Sequence, residues 1–109
     1  MSLIANVLKG VDRKDIQALS DRWFEYLADN LDFPFEAKIE DSQSLDLKWG
    51  ETVLVKRINN YDEFYGLLVA VRKDRKKYIL PLNDLELVET ASNNYKIIDA
   101  FLDWWSNDR

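Results

Sequence analysis

The residues of this chain best suited to chemistry are carboxylates. Glu36, Glu40 and Asp41 fall within one short stretch, and Asp84 and Glu86 bracket Leu85. Residues two apart share a face in an extended strand, so Glu36 and Glu40 belong to the same side of the Phe35 to Glu40 segment, with Lys38 between them. Asp41 adds an acid where that segment ends, and Asp84 and Glu86 have the same strand-like parity. Carboxylates held close repel one another, and a hard cation relieves the repulsion by taking their oxygens as ligands. Calcium, with its adaptable shell of about six to eight oxygens, suits acids scattered over strands and loops better than octahedral magnesium does. Each of these acids also fits a plainer role: a solvated strand edge for Glu36, Glu40, Asp41 and Glu86, and a turn cap for Asp84.

No softer donor competes with them. The chain has neither Cys nor His, which removes zinc ligation by thiolate or imidazole, cysteine nucleophiles and every Ser-His-Asp arrangement. Counting back from Gly10, Gly50 and Gly66 places Ala5, Leu45 and Tyr61 where an EF-hand loop needs its first ligand, so a calcium site must be assembled another way. Three scattered glycines leave no phosphate-binding P-loop or dinucleotide fingerprint. Paired carboxylates serve glycosidases, but the sequence marks no polar pocket around such a pair, and no enzyme is expected.

The 109 residues carry 20 acidic and 15 basic side chains, a net charge of −5. That balance favours cations over nucleic acid. The one dense basic run, Arg72-Lys73-Asp74-Arg75-Lys76-Lys77, reads as a solvated hairpin tip. No membrane-length apolar run and no secretory leader is visible, so a soluble cytoplasmic protein of one domain, residues 1–109, is expected, with no membrane partner.

The elements that must position the acids follow from periodicity. Ile4, Val7 and Leu8 suggest a short first helix ended by Gly10. Ile16, Leu19, Trp23 and Leu27 recur at helical spacing to about residue 30, behind an acidic cap formed by Asp12 and Asp15. Pro34 stops that helix, and Phe35, Ala37 and Ile39 then alternate with polar residues as a strand whose apolar side chains are core. Asp41 to Ser44 reads as a turn, and Leu45 to Trp49 is ambiguous. Further strands are expected over Glu51–Asn59, with a turn from Asn59-Asn60, then over Phe64–Val71, Lys77–Leu80 and Leu85–Val88. Tyr95, Ile98, Phe101, Leu102 and Trp105 suit a terminal amphipathic helix capped by Ser92 or Asn93, and Trp104 and Trp105 cannot both face one way. The fold class predicted is α+β: a small, strongly bent antiparallel sheet or partly closed barrel flanked by N-terminal and C-terminal helices. Pairing of the first and last strands would bring the two acidic groups together.

Two segments carry a resemblance. Trp23-Phe24-Glu25-Tyr26-Leu27 with Asn30-Leu31-Asp32-Phe33-Pro34-Phe35-Glu36-Ala37, and Tyr78-Ile79-Leu80-Pro81-Leu82-Asn83-Asp84-Leu85-Glu86, resemble the cyanobacterial calcium-binding protein family, and the likeness extends to Ser92-Asn93-Asn94 before the last helix. The resemblance implies an Sm-like or SH3-like bent sheet, Ca²⁺ binding without an EF-hand, and a part in calcium buffering or sensing. It carries over Glu36, Asp84 and Glu86 as acids of matching motifs, whereas Glu40 and Asp41 rest on local charge. The competing expectation is a metal-independent Sm-like or SH3-like module that binds a protein partner.

Overall fold

The computed structural model describes residues 3–41, 47–62 and 64–107. They form two compact units, one of residues 1–31 and 91–109 and the other of residues 32–90.

The first unit is helical: α1 (Leu3–Val7), α2 (Ile16–Asn30) and α3 (Asn93–Asn107). Gly10, at φ +83°, makes the left-handed turn after α1 that a side chain would resist. Of the two candidate acids it is Asp15 that caps α2, accepting from the Ala18 amide at 3.0 Å, while Asp12 accepts from Lys14 one turn earlier. Ser92 caps α3 through the Tyr95 amide. The apolar stripe of α2 buries Leu19, Trp23 and Leu27, and that of α3 buries Ile97, Ile98 and Phe101. Trp23 is fully buried, with the rings of Phe101 and Trp104 at 5.5 and 6.0 Å. Trp104 and Trp105 are both buried, at 0% and 8% exposure, contrary to the expectation that adjacent helix positions would split them. Phe101 lies 6.1 and 6.4 Å from the two indoles, so the apolar stripe of α3 is wide enough to take both.

The second unit is an antiparallel sheet of β1 (Phe35–Ile39), β2 (Thr52–Asp62), β3 (Gly66–Lys73), β4 (Lys76–Pro81) and β5 (Leu85–Leu87), in the order β4-β3-β2-β1-β5. Its buried face carries Ala37, Ile39, Val53, Val55, Leu67, Val69, Val71, Leu85 and Leu87. The first and last strands pair as expected, with Ala37 opposite Leu87 and Ile39 opposite Leu85. That pairing extends the sheet instead of closing it. A barrel would need β4 to meet β5, and these strands are the two opposite edges of an open sheet that is neither closed nor strongly curled. Pro81, which has no amide proton to donate, ends β4; a 3₁₀ turn over Leu82–Asp84 follows, and all three residues of β5 ladder to β1. The strongly bent or partly closed barrel is therefore not what the chain forms.

Other boundaries shift in ways that have local causes. β2 runs through Asn59-Asn60 to Asp62, absorbing the asparagines beside register shifts at Lys56 and Asn59. The reversal falls after it, where Asp62 accepts from the amides of Phe64 and Tyr65, and Phe64 lies in that turn at 81% exposure instead of opening β3. The basic run does form a hairpin tip, with Asp74 in the left-handed region at φ 55°. Phe35 is half-buried against Phe33, ring centroids 5.6 Å apart, so it is a flank of the core and not its centre. Ser42, Gln43, Ser44, Leu45 and Asp46 lie outside the described residues.

Candidate metal centre

The acids are placed by the β1–β5 ladder. Burial of Ala37 and Ile39 turns Glu36, Lys38 and Glu40 to the exposed face, and burial of Leu85 and Leu87 does the same for Glu86. Lys38 stands directly opposite Glu86, which leaves Glu86 diagonal to Glu36 on one side and to Glu40 on the other. Beyond Ile39 the chain stays clamped to the 3₁₀ turn. The Asp84 carbonyl accepts from the Glu40 amide at 2.8 Å and from the Asp41 amide at 3.3 Å. One backbone oxygen thus fixes where three of the five acids leave the main chain.

Two acidic pairs result. The pKa of Glu40 is raised, first by burial, then by hydrogen bonding to the Glu86 side chain, then by the charge of Glu86. Asp84 is raised as well, by burial and next by the negative charge of Asp41. Lys38 forms no ion pair among the described residues. Glu36 joins neither pair; it faces Leu54 of β2, and its carbonyl accepts a 3.4 Å bond from the Val88 amide. Asp41 and Asp84 also stand at a cleft of about 570 Å³ walled by Tyr65, Leu68, Leu80 and Pro81 among others.

Sequence reasoning gave Asn83 no role. Its Oδ1 is buried without a hydrogen-bond partner, and it neighbours Asp84 on the 3₁₀ turn. An orphaned buried amide oxygen is an unspent acceptor, and amide carbonyls are calcium ligands. The signal in the sequence was its place inside Leu82-Asn83-Asp84, where turn chemistry alone accounts for an asparagine.

The donor set is all oxygen and fits a hard cation. Among the described residues, no three Asp or Glu side chains converge closely enough to form a ready-made metal cluster. The acids come as pairs, and a cation would have to draw them together or complete its shell from other oxygens.

Comparison with known proteins bears on this arrangement. The sequence profile of the CcbP family, described as calcium binding, matches residues 6–105. A crystal structure of Anabaena CcbP is similar over 92% of this chain and 81% of its own, at 23% identity and a TM-score of 0.71. A structure described as a calcium-binding protein in its calcium-binding form is similar over 97% of this chain and 96% of its own, at 22% identity and a TM-score of 0.70. These two likenesses establish a shared fold. No curated protein matches the chain.

Proposed function

The chain belongs to the CcbP family and binds calcium without an EF-hand, and from that premise we propose that the ion is held at the β1–β5 end of the sheet by Asp41, Asp84, Glu40 and Glu86, with Asn83 as an additional oxygen donor and Glu36 at the periphery. The observation that carries this reading is the Asp84 carbonyl gripping both the Glu40 and Asp41 amides, because it holds acids from the end of β1 and from the 3₁₀ turn beside one another, where burial and like charge raise the pKa values of Glu40 and Asp84. The similar structure described as being in a calcium-binding form supports the same direction. Family membership assigns calcium binding and no catalysis. The proposed setting is cytoplasmic calcium buffering or sensing; among the described residues no helix is long and apolar enough to cross a membrane.

Calorimetry at fixed ionic strength tests the assignment. Calcium should bind saturably, and the folded chain should gain about 2.7 kcal/mol when free calcium stands at one hundred times the dissociation constant. Asp84→Asn should weaken that binding more than Glu36→Gln does, because Asp84 faces another acid and Glu36 does not. If Asp84→Asn and Asp41→Asn both keep wild-type affinity and stoichiometry, the ion sits elsewhere. A matched magnesium titration with an equal heat and thermal shift would sink the calcium-selective reading itself.

A further inference from the structure

Away from the acidic end, the exposed face of β2, β3 and β4 holds a cleft of about 460 Å³ lined by Lys56, Arg57, Arg72 and Lys77 around Ala70, with Tyr78 at its side. Residues 52–81 contain seven of the fifteen basic side chains and three of the twenty acidic ones. Consecutive strand residues normally face opposite ways. Here Val55 pairs with Val71 and Arg57 with Ala70, which leaves Lys56 as the extra residue of a bulge, and both Lys56 and Arg57 line the cleft. Across the next ladder Arg72 lies directly opposite Lys77, a like-charge pairing that costs stability.

The four cations are not neutralised locally. Among the described residues none of them forms an ion pair, whereas neighbouring Lys73 is paired with Glu51. Arg57 donates to the neutral Asn59 side chain at 3.2 Å and Arg72 to the Asp74 carbonyl at 2.9 Å. Lysines on an edge strand guard against stray strand pairing, which accounts for Lys77 on β4. It does not account for Lys56, Arg57 and Arg72 on the inner strands. Local preference is violated where a ligand repays it.

We infer that this cleft is an anion site for a small ligand bearing two or more linked phosphates. Its volume falls in the range of small-molecule sites, about 300–1,000 Å³. Guanidinium forks suit phosphate oxygens and lysines add point charge, and Ala70 leaves the floor open. A long nucleic acid would leave the cleft and meet a protein of net charge −5, so a compact anion fits better. The linked phosphates are the recognised chemistry, whether inorganic or carried by a nucleotide.

Calorimetry on calcium-stripped full-length protein at low ionic strength tests this, with tripolyphosphate, ADP and uncharged adenosine as titrants. Tripolyphosphate and ADP should bind saturably at one site and adenosine should not; ADP binding at least as tightly as the more highly charged tripolyphosphate would identify a nucleotide, and a tripolyphosphate advantage would identify the phosphates alone. Arg57→Gln and Arg72→Gln should each weaken binding by about tenfold or more, the scale of one charge-assisted contact. Ala70→Leu, which fills the floor without changing charge, should weaken it too, while Lys96→Gln on α3 should leave it unchanged. Circular dichroism checks that each variant is folded. The proposal is overturned if neither phosphate titrant saturates, if Lys96→Gln loses as much as Arg72→Gln, or if only a single-stranded oligonucleotide binds.

Discussion

The helical unit and the acidic end of the sheet use opposite means to hold side chains together. Around Trp23 the neighbours are Tyr26, Phe101 and Trp104, and burial of apolar surface drives the assembly. At the β1–β5 end the neighbours are Glu40 with Glu86 and Asp41 with Asp84, brought together by the β1–β5 ladder and by backbone hydrogen bonds to the Asp84 carbonyl against their mutual repulsion. Side chains that attract one another fix their own positions, whereas side chains that repel must be positioned by something else and so stay available to a third party. The difference predicts that truncation weakens the first region under all conditions, while neutralisation of the second strengthens the ion-free protein.

The largest effect expected is in the helical unit. Trp23→Ala should destabilise the chain by about 3–5 kcal/mol, the cost of emptying a fully buried aromatic site. Chemical denaturation with and without calcium checks it, and the loss should be the same in both. A loss that disappears on adding calcium would break the comparison, because it would tie the aromatic core to the ion. A smaller effect is expected at the join to β1. Phe35 is only half-buried, so Phe35→Ala should cost about 1–2 kcal/mol, below the range for a fully buried phenylalanine. A value above about 3 kcal/mol would show that the Phe33–Phe35 contact is core after all.

What the sequence made legible follows the same division. α2, α3 and β1 could be read because one apolar stripe dictates each: Leu19, Trp23 and Leu27 at helical spacing, and Ala37 and Ile39 at spacing two. The pairing of β1 with β5, and with it the approach of Glu40 to Glu86, followed from treating those segments as first and last strands. Closure did not follow, because whether an edge is capped depends on how the chain turns between β4 and β5, and Pro81 with its 3₁₀ turn is a local device that periodicity does not reveal. Parity alone put Glu36 beside Glu40, yet it stays outside both pairs: Glu86 is diagonal to each of them, and only Glu40 is also tied by its amide to the Asp84 carbonyl. Asn83 and the Lys56 bulge escaped for a related reason. An unsatisfied amide oxygen and a shifted register are properties of three-dimensional pairing, and only the assembled ladder displays them.

The smallest effect is also the one that separates the two regions most directly. Glu40 and Asp84 have raised pKa values in the folded chain, so between the unfolded and folded values the native state binds more protons than the unfolded state, and stability falls as pH rises through that window. The favourable contribution is complete below the ordinary carboxylate values, 4.5 for Glu40 and 3.8 for Asp84, and is lost as pH rises through the raised values of the folded chain. Glu40→Gln should therefore raise the thermal midpoint of the calcium-free protein at pH 7 and flatten its dependence on pH over the acidic range. On the proposed site calcium should reverse the sign of the substitution: with the ion bound, the wild-type carboxylate becomes an asset, and the variant should gain less from saturating calcium. On that site protons and calcium would compete for the same oxygens, so calcium affinity in the wild type should decline as pH drops toward the raised values. Thermal melts of wild type and Glu40→Gln over a pH series, each with and without calcium, measure all of this at once. A Glu40→Gln midpoint below wild type in the absence of calcium would mean that the Glu40–Glu86 hydrogen bond stabilises the fold, and that the acids are held by attraction, as the aromatics around Trp23 are.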